Sequence, residues 1–380
     1  MTGICLKTLA DLYSTYYSYN FITKITRERK EQIRFPAITI CNLNRFDISQ
    51  QNLTDTELKY LRRSGDLHFL SQSIDWKGEE GRELEKIDNV KFWEGGAYKE
   101  EAMFKYIFLK SINVPPEALK YNQKQDQRCF TFSANADEDT SESEDAQLNV
   151  VVNIMQETYL EGTVYEAGVK VYIDEPDTAP SYSDDAMTGV QVGTTTRIKL
   201  TKKEMKYLPT PYNSRGTDCL DTKASDFVNS LDWFKHYSFD GCLHKCSNKA
   251  AMNAYQVQSE ARSGKSCLCQ YQCEETSYDI QVSSMTMPQN ATSVASYVDS
   301  TTDMLRHNYL VLEIKVASMV VERTEHTPEL ELNDIFASIG GQIGLFLGAS
   351  ILTITELLEL LITCVLASLK SLWARHKLQG

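Results

Sequence analysis

The chain has 380 residues, with 39 Lys and Arg against 52 Asp and Glu, a formal net charge of −13, 42% hydrophobic residues and 10 cysteines. That acidic balance argues against nucleic-acid binding, which usually needs a basic surface, and suits solubility or the gathering of cations near a pore mouth. The length allows two or three domains, and a mean hydropathy of −0.36 describes a mostly water-soluble body.

Met1–Ala10 carries Lys7 in its middle and lacks the apolar core of a secretory signal peptide. Residues 2–22 predict a helix whose stripe of Tyr13, Tyr16, Tyr17 and Tyr19 suits either a membrane interface or packing. Residues 34–42 predict a strand. The stretch 46–120 is charged and helix-prone, with Tyr98–Ile112 its best helical window. Strands are predicted near Cys129–Ser133, Leu148–Met155 and Gly168–Ile173, and the acidic run Asp137–Asp145 reads as a solvated loop, with a cation site as the alternative. Thr195–Leu200 and Lys206–Leu208 predict a strand pair, which Pro209-Thr210-Pro211-Tyr212 ends. Residues 216–280 are cysteine-rich, and Asn308–Val321 predicts a strong strand leading to an apolar terminal segment.

Cys5 and Cys364 lie at the two membrane-like ends. The other eight are Cys41, Cys129, Cys219, Cys242, Cys246, Cys267, Cys269 and Cys273, an even number that fits an oxidising compartment. Their possible connectivities number on the order of a hundred. A zinc site with His244 as an extra ligand is the competing reading, but Cys267-x-Cys269 fits zinc spacing poorly. Asn52-Leu53-Thr54 and Asn290-Ala291-Thr292 are glycosylation sequons at Asn52 and Asn290.

From Ile335 to Leu369 the charged residues are Glu356 and Glu359, three apart and on one helix face. A charge near the bilayer centre costs roughly 2.5–3.5 kcal/mol, so both carboxylates should face water or another subunit. Gly348-Ala349-Ser350 offers carbonyls and a hydroxyl that can replace a cation's hydration shell. The segment therefore reads as pore-lining. Lys370, Arg375, His376 and Lys377 beyond it favour a cytoplasmic C-terminus and an extracellular body. As one helix the segment would run about 50 Å against a core of ~30 Å, so a break at Gly348–Ser350 and outward protrusion are expected.

Gly348-Ala349-Ser350 resembles the G-x-S selectivity filter of the degenerin/epithelial sodium channel superfamily. Phe35-Pro36-Ala37-Ile38-Thr39-Ile40-Cys41-Asn42-Leu43-Asn44 resembles that family's first extracellular strand, and the resemblance covers nearly the whole chain. It implies an α+β membrane protein with two transmembrane helices around a large disulfide-rich extracellular domain, assembled as a homotrimer. In that plan 1–22 is the outer part of the first transmembrane helix, so the chain would begin inside that helix, without the family's cytoplasmic N-terminus and His-Gly gating motif. Residues 23–45 are the first strand of a central β-sheet palm, 46–120 the helical finger, 121–215 palm strands and finger-facing loops, and 216–280 the disulfide-stapled thumb. Residues 281–308 are the knuckle, 309–334 the last palm strands, 335–370 the pore-lining helix and 371–380 a cytoplasmic tail.

Carried onto this chain, the family's pattern implies the disulfides Cys41–Cys129, Cys219–Cys273, Cys242–Cys269 and Cys246–Cys267. Further thumb cysteines and a finger pair of the family are missing as whole pairs, and 247–266 is short for the family. The resemblance also implies a size-sensitive gate at Ala337 and Ser338, with Gln342 and Leu345 continuing a stripe toward the pore axis. It implies coupling of the first helix to the thumb base through Tyr19 and Tyr212, where many members have tryptophan at the second position. Met319-Val320 matches the linker tied to desensitisation in relatives.

Acid-sensing relatives carry two histidines and then an acidic pair before the first strand; this chain has Asn20-Phe21 and Thr26-Arg27 there, so acid gating of the usual kind is not expected. Ser318–Glu322, Leu332–Ala337 and Pro211-Tyr212 look closest to invertebrate FMRFamide-type neuropeptide-gated sodium channels. That implies a plasma-membrane sodium channel, multi-pass with cytoplasmic termini, opened by an extracellular peptide and blocked by amiloride. Sodium is the permeant ion rather than a cofactor, and the ligand residues stay unassigned. Bile-acid, mechanical or acid modulation is the alternative within the family. Outside it stands an adhesion or receptor ectodomain with one anchor, which would not need Glu356, Glu359 or the Gly-Ala-Ser break. Purine-gated trimers share the two-span plan without this filter, and the motifs of an enzyme are absent.

Overall fold

The computed structural model describes residues 2–65, 73–110, 112–124, 127–133, 147–181, 186–231, 234–253, 269–288, 302–347 and 355–367. It divides into two compact units: a first of Met1–Lys24, Leu208–Thr217 and His326–Gly380, and a second of Ile25–Tyr207 and Asp218–Glu325.

Helix α1 (Thr2–Tyr17) is followed by strands β1 (Phe21–Arg29) and β2 (Ala37–Asn42). The helix is thus shorter than the predicted 2–22, because Tyr19 takes a left-handed φ of 52° and turns the chain into β1. Residues 23–45 hold two strands rather than one, and they belong to different sheets. Helices α2 (Asp55–Ser64), α3 (Glu79–Leu84), α4 (Asn89–Gly95) and α5 (Glu100–Met103) come next. Thr54 caps α2: its side chain accepts from Glu57 N while Glu57 accepts from Thr54 N, so two orphan amides are satisfied at once.

Strands β3 (Phe104–Leu109), β4 (Ile112–Asn113), β5 (Lys120–Lys124), β6 (Gln127–Phe132), β7 (Gln147–Asn153), β8 (Gly168–Asp174), β9 (Thr188–Gln191) and β10 (Thr194–Lys206) follow. Within the helix predicted over Tyr98–Ile112, Glu100–Met103 is helical and Phe104–Leu109 is strand. A register shift between Phe104 and Tyr106 spaces the buried Phe104 and Ile107 three apart, which imitates a helical period. The two strands predicted over 195–208 are one 13-residue strand.

Helix α6 (Phe239–Asn253), strand β11 (Glu274–Thr286), helix α7 (Thr302–Asn308), strands β12 (Tyr309–Val316) and β13 (Val320–Pro328), helix α8 (Leu332–Leu347) and a helix α9 over 355–367 complete the chain. β11 crosses the boundary predicted at 280, so it runs through both the thumb and knuckle ranges read from the sequence.

Instead of one central sheet there are two. One has the order β1-β13-β10-β12-β7-β3-β4, with β11 also paired to β10; the other is β5-β6-β2-β8-β9. β10 bonds β11 antiparallel along one edge and, in series, β12 and then β13 in parallel along the other. A single hydrophobic cluster draws on both sheets, from Ile38, Ile40, Phe130 and Val171 to Leu148, Val150, Ile198, Leu200, Leu310 and Leu312. The period-two burial of β7 (Leu148, Val150, Val152) supplies one wall of it. A separate cluster joins Phe46, Leu61, Phe92, Trp93 and Leu160. There Gly96 is required, since a Cβ would lie 2.2 Å from the Phe46 ring.

Candidate functional site

In the first unit, α1 delivers Tyr16 and Tyr17 to the turn at Tyr19, and the Tyr19 ring meets Tyr212 edge-on at 5.6 Å. Edge-to-face contact sets the positive rim of one ring against the negative face of the other. The Tyr212 hydroxyl is pushed above its ordinary range, by burial first and then by Tyr16, Tyr19 and Glu331. Two residues on, Phe21 stacks on His326 at 4.7 Å, and Asn20 O accepts Glu329 N at 3.0 Å. Burial lowers His326 below its ordinary value. Asn20-Phe21 itself offers no group that titrates near neutral pH. A histidine reaches Phe21 from β13, the strand paired with β1.

Ala337 is exposed and Ser338 half-buried on α8. Gln342 departs from the stripe expected to face a pore axis: its Oε1 accepts the Thr8 hydroxyl of α1 at 2.7 Å. Leu345, the next position, is 78% exposed and available to solvent, lipid or another chain. Gly348, Ala349 and Ser350 lie outside the described residues, as do Asn290, Cys267 and the acidic run 137–145. Glu356 and Glu359 stand exposed on α9, and Glu359 O accepts the Thr363 hydroxyl at 2.9 Å. Among the described residues no helix is long and apolar enough to cross a membrane. The described parts of the segment predicted over 335–370 are helical, α8 up to Leu347 and α9 over 355–367.

In the second unit Met319 is buried with Ile33 and Val321, and its carbonyl accepts Lys30 N at 2.9 Å. The Val320 amide donates to Ser318 Oγ at 3.0 Å. The linker is thereby held against the segment that follows β1. A ladder of charges crosses the strands beside it. Arg27 reaches Glu322 at 2.9 Å, Lys203 reaches Asp279 at 2.6 Å and Glu322 at 3.8 Å, and Lys206 reaches Glu325 at 2.8 Å. Sequence reading missed this ladder, although the run of Lys and Glu from 202 to 206 was its visible trace.

Cys41 bonds Cys129 directly across β2 and β6, and Cys219–Cys273 and Cys242–Cys269 are also disulfides. Cys246 is disulfide-bonded as well. With Cys242 and Cys246 oxidised, neither thiolate is left for zinc, and no metal-binding group of side chains occurs among the described residues. Asn52 is exposed just ahead of α2, where a glycan would find room.

The sequence model of the family described as "Amiloride-sensitive sodium channel" matches residues 1–256 and 247–360. Acid-sensing ion channel 1B of Danio rerio is 26% identical over 390 residues, spanning 94% of this chain and 69% of that protein. Acid-sensing ion channel 1 of Gallus gallus is 25% identical over 396 residues, spanning 90% and 73%. Acid-sensing ion channel 2 of Homo sapiens is 24% identical over 436 residues, spanning 100% and 82%. Among solved structures, a proton-activated chloride channel studied by cryo-EM covers 95% of this chain at 6% identity and a TM-score of 0.36, too low to establish a shared fold.

Proposed function

Because the chain belongs to the amiloride-sensitive sodium channel family, we propose that it is one subunit of a homotrimeric, sodium-selective cation channel of the plasma membrane. The observation that carries this is the reach of the family match. Its two overlapping segments reach residue 360 and so take in both the strands of the second unit and Gly348-Ala349-Ser350 with Glu356 and Glu359. The relatives are ion channels, not enzymes.

In this reading α1 and the 335–370 segment cross the bilayer, three copies of Gly348-Ala349-Ser350 form the filter, and Glu356 and Glu359 line the pore below it. Ala337 and Ser338 act at the gate. Tyr19 and Tyr212 link the first helix to the base of the thumb, and Met319-Val320 sets desensitisation. The domain plan is kept with two changes: β1 and β2 are separate strands, and β11 joins the palm. Opening by an extracellular amidated neuropeptide, with block by amiloride, is the stimulus we favour, on the strength of Ser318–Glu322 and Pro211-Tyr212. Acid modulation is the second reading. It is favoured by the stacking of His326 on Phe21, where charging the imidazole would change a contact beside the expected membrane boundary.

Expression of the full-length protein with whole-cell recording tests the proposal, applying acid, then amidated peptides, then amiloride. Ser350→Ala and Glu356→Gln should each lower the sodium-to-potassium permeability ratio. Surface-expressed protein that never conducts would sink the channel reading. Normal reversal potentials in both variants would move selectivity elsewhere.

A further inference from the structure

Strand β8 ends on Asp174, whose Oδ1 accepts the Ser181 backbone N–H at 3.2 Å. Its Oδ2 is buried and has no hydrogen-bond partner. The side chain of the same Ser181 hydrogen-bonds Asp240, in the first turn of α6. One serine thus joins two carboxyl groups, one closing a sheet strand and the other opening the helix that Cys242–Cys269 anchors.

The charges around this corner do not neutralise Asp174. Arg34, just ahead of β2, and Lys235 engage Asp177 at 3.0 and 3.8 Å. From β11, Glu275 adds negative charge beside Asp240, and Tyr278 lies near Asp174 with its own hydroxyl pushed upward, by burial first and then by Glu175 and Asp174. An ionised carboxylate with a buried, unpartnered oxygen is far costlier than its neutral form. A second carboxylate nearby adds repulsion. Burial first, and then Asp240, push the Asp174 carboxyl up to about 7; burial and then Glu275 raise Asp240 too.

We propose that Asp174, Ser181 and Asp240 form a proton-held clasp between the end of β8 and the first turn of α6, closed while Asp174 keeps its proton and loosened when it ionises. The sign follows from linkage. The closed state binds the proton more tightly than the opened one, so the clasp is fully stable below the ordinary carboxylate range of about 4 and weakens as pH rises toward 7. Asp177 behaves in the opposite sense. Burial raises it, but the hydrogen bond and charge of Arg34 win and hold it low, so its contribution is lost on acidification.

The test needs no channel activity. Hydrogen exchange of the purified full-length protein in detergent, corrected for the intrinsic pH dependence of exchange, is followed for residues 238–245 at about pH 5 and about pH 7. Wild-type protection should fall at least about tenfold between the two, since one proton is worth up to tenfold per pH unit. Asp174→Asn should be equally protected at both. Asp240→Asn removes the repulsion and should move the transition to lower pH, which keeps the test open if the first variant fails to fold. Equal wild-type protection at both values, or a pH dependence unchanged in both variants, overturns the clasp. So does the lack, near pH 5, of a protonated-carboxyl infrared band that Asp174→Asn removes.

Discussion

In the second unit Ile198, Leu200, Leu310, Leu312 and Ile314 are wholly buried between two sheets, whereas in the first Leu357, Leu358, Leu360 and Leu361 are each more than half exposed. Apolar area left in water costs roughly 25 cal/mol per Å², so the first arrangement is complete within one chain and the second is not. The second unit carries its solvent boundary in its own fold. In the proposed channel, lipid or further helices would cover these exposed leucines, and the carboxylates of α9 would take the remaining wet side.

The sharpest way to break this contrast is in the core. Leu200→Ala removes a side chain with no exposure at the meeting of β10 with the neighbouring sheet and should cost ~2–5 kcal/mol. Unfolding of the detergent-solubilised protein, followed by tryptophan fluorescence, measures it, with reduced surface expression in cells. A loss below about 1 kcal/mol would mean that the sheets do not share a core.

The next largest effect should appear in the first unit, and in a different assay. At 100° per residue, Leu361 lies on the side of α9 away from Glu356 and Glu359. Leu361→Arg should leave unfolding of the second unit unchanged, while insertion becomes less favourable by roughly 2.5–3.5 kcal/mol. Alkaline extraction of membranes reads it: the variant should be released more readily than wild type. If Leu361→Arg stays fully inserted while Glu356→Leu does not, the wet and dry faces have been exchanged.

Legibility from sequence follows the same contrast. Where a strand faces one core, period-two burial makes it readable, as in β7 and in Leu310, Leu312, Ile314 and Val316 of β12. Where the period is broken it misleads. The bulge in β3 imitated a helix, and β10 was split because its second half swaps core contacts for ion pairs. β1 is exposed along its whole length, so only its partner β13 reveals it. For the site, Tyr19 and Tyr212 were found through the family pattern and do meet. His326 against Phe21, Arg27 against Glu322, and Asp174 beside Asp240 were invisible, since each joins residues far apart in the chain. The burial of a lone aspartate at a strand end leaves no mark in its neighbours.

The smallest effect should come from the charge ladder, and its value lies in its salt dependence. Glu322 accepts Arg27 Nε at 3.0 Å and Nη2 at 2.9 Å, and it also stands 3.8 Å from Lys203. Arg27 is 74% exposed, so water and ions compete for the pair, and such pairs contribute little to stability. Glu322→Gln keeps the shape, removes the charge and leaves Lys203 with Asp279 at 2.6 Å. The variant's unfolding midpoint should therefore fall slightly at low salt, much less than for Leu200→Ala. The difference from wild type should vanish near about 1 M salt, where the Debye length is ~3 Å. Core burial has no such screening, so the Leu200→Ala deficit should persist. A Glu322→Gln deficit that survives high salt would mean that the ladder holds the strands by packing, as the core does.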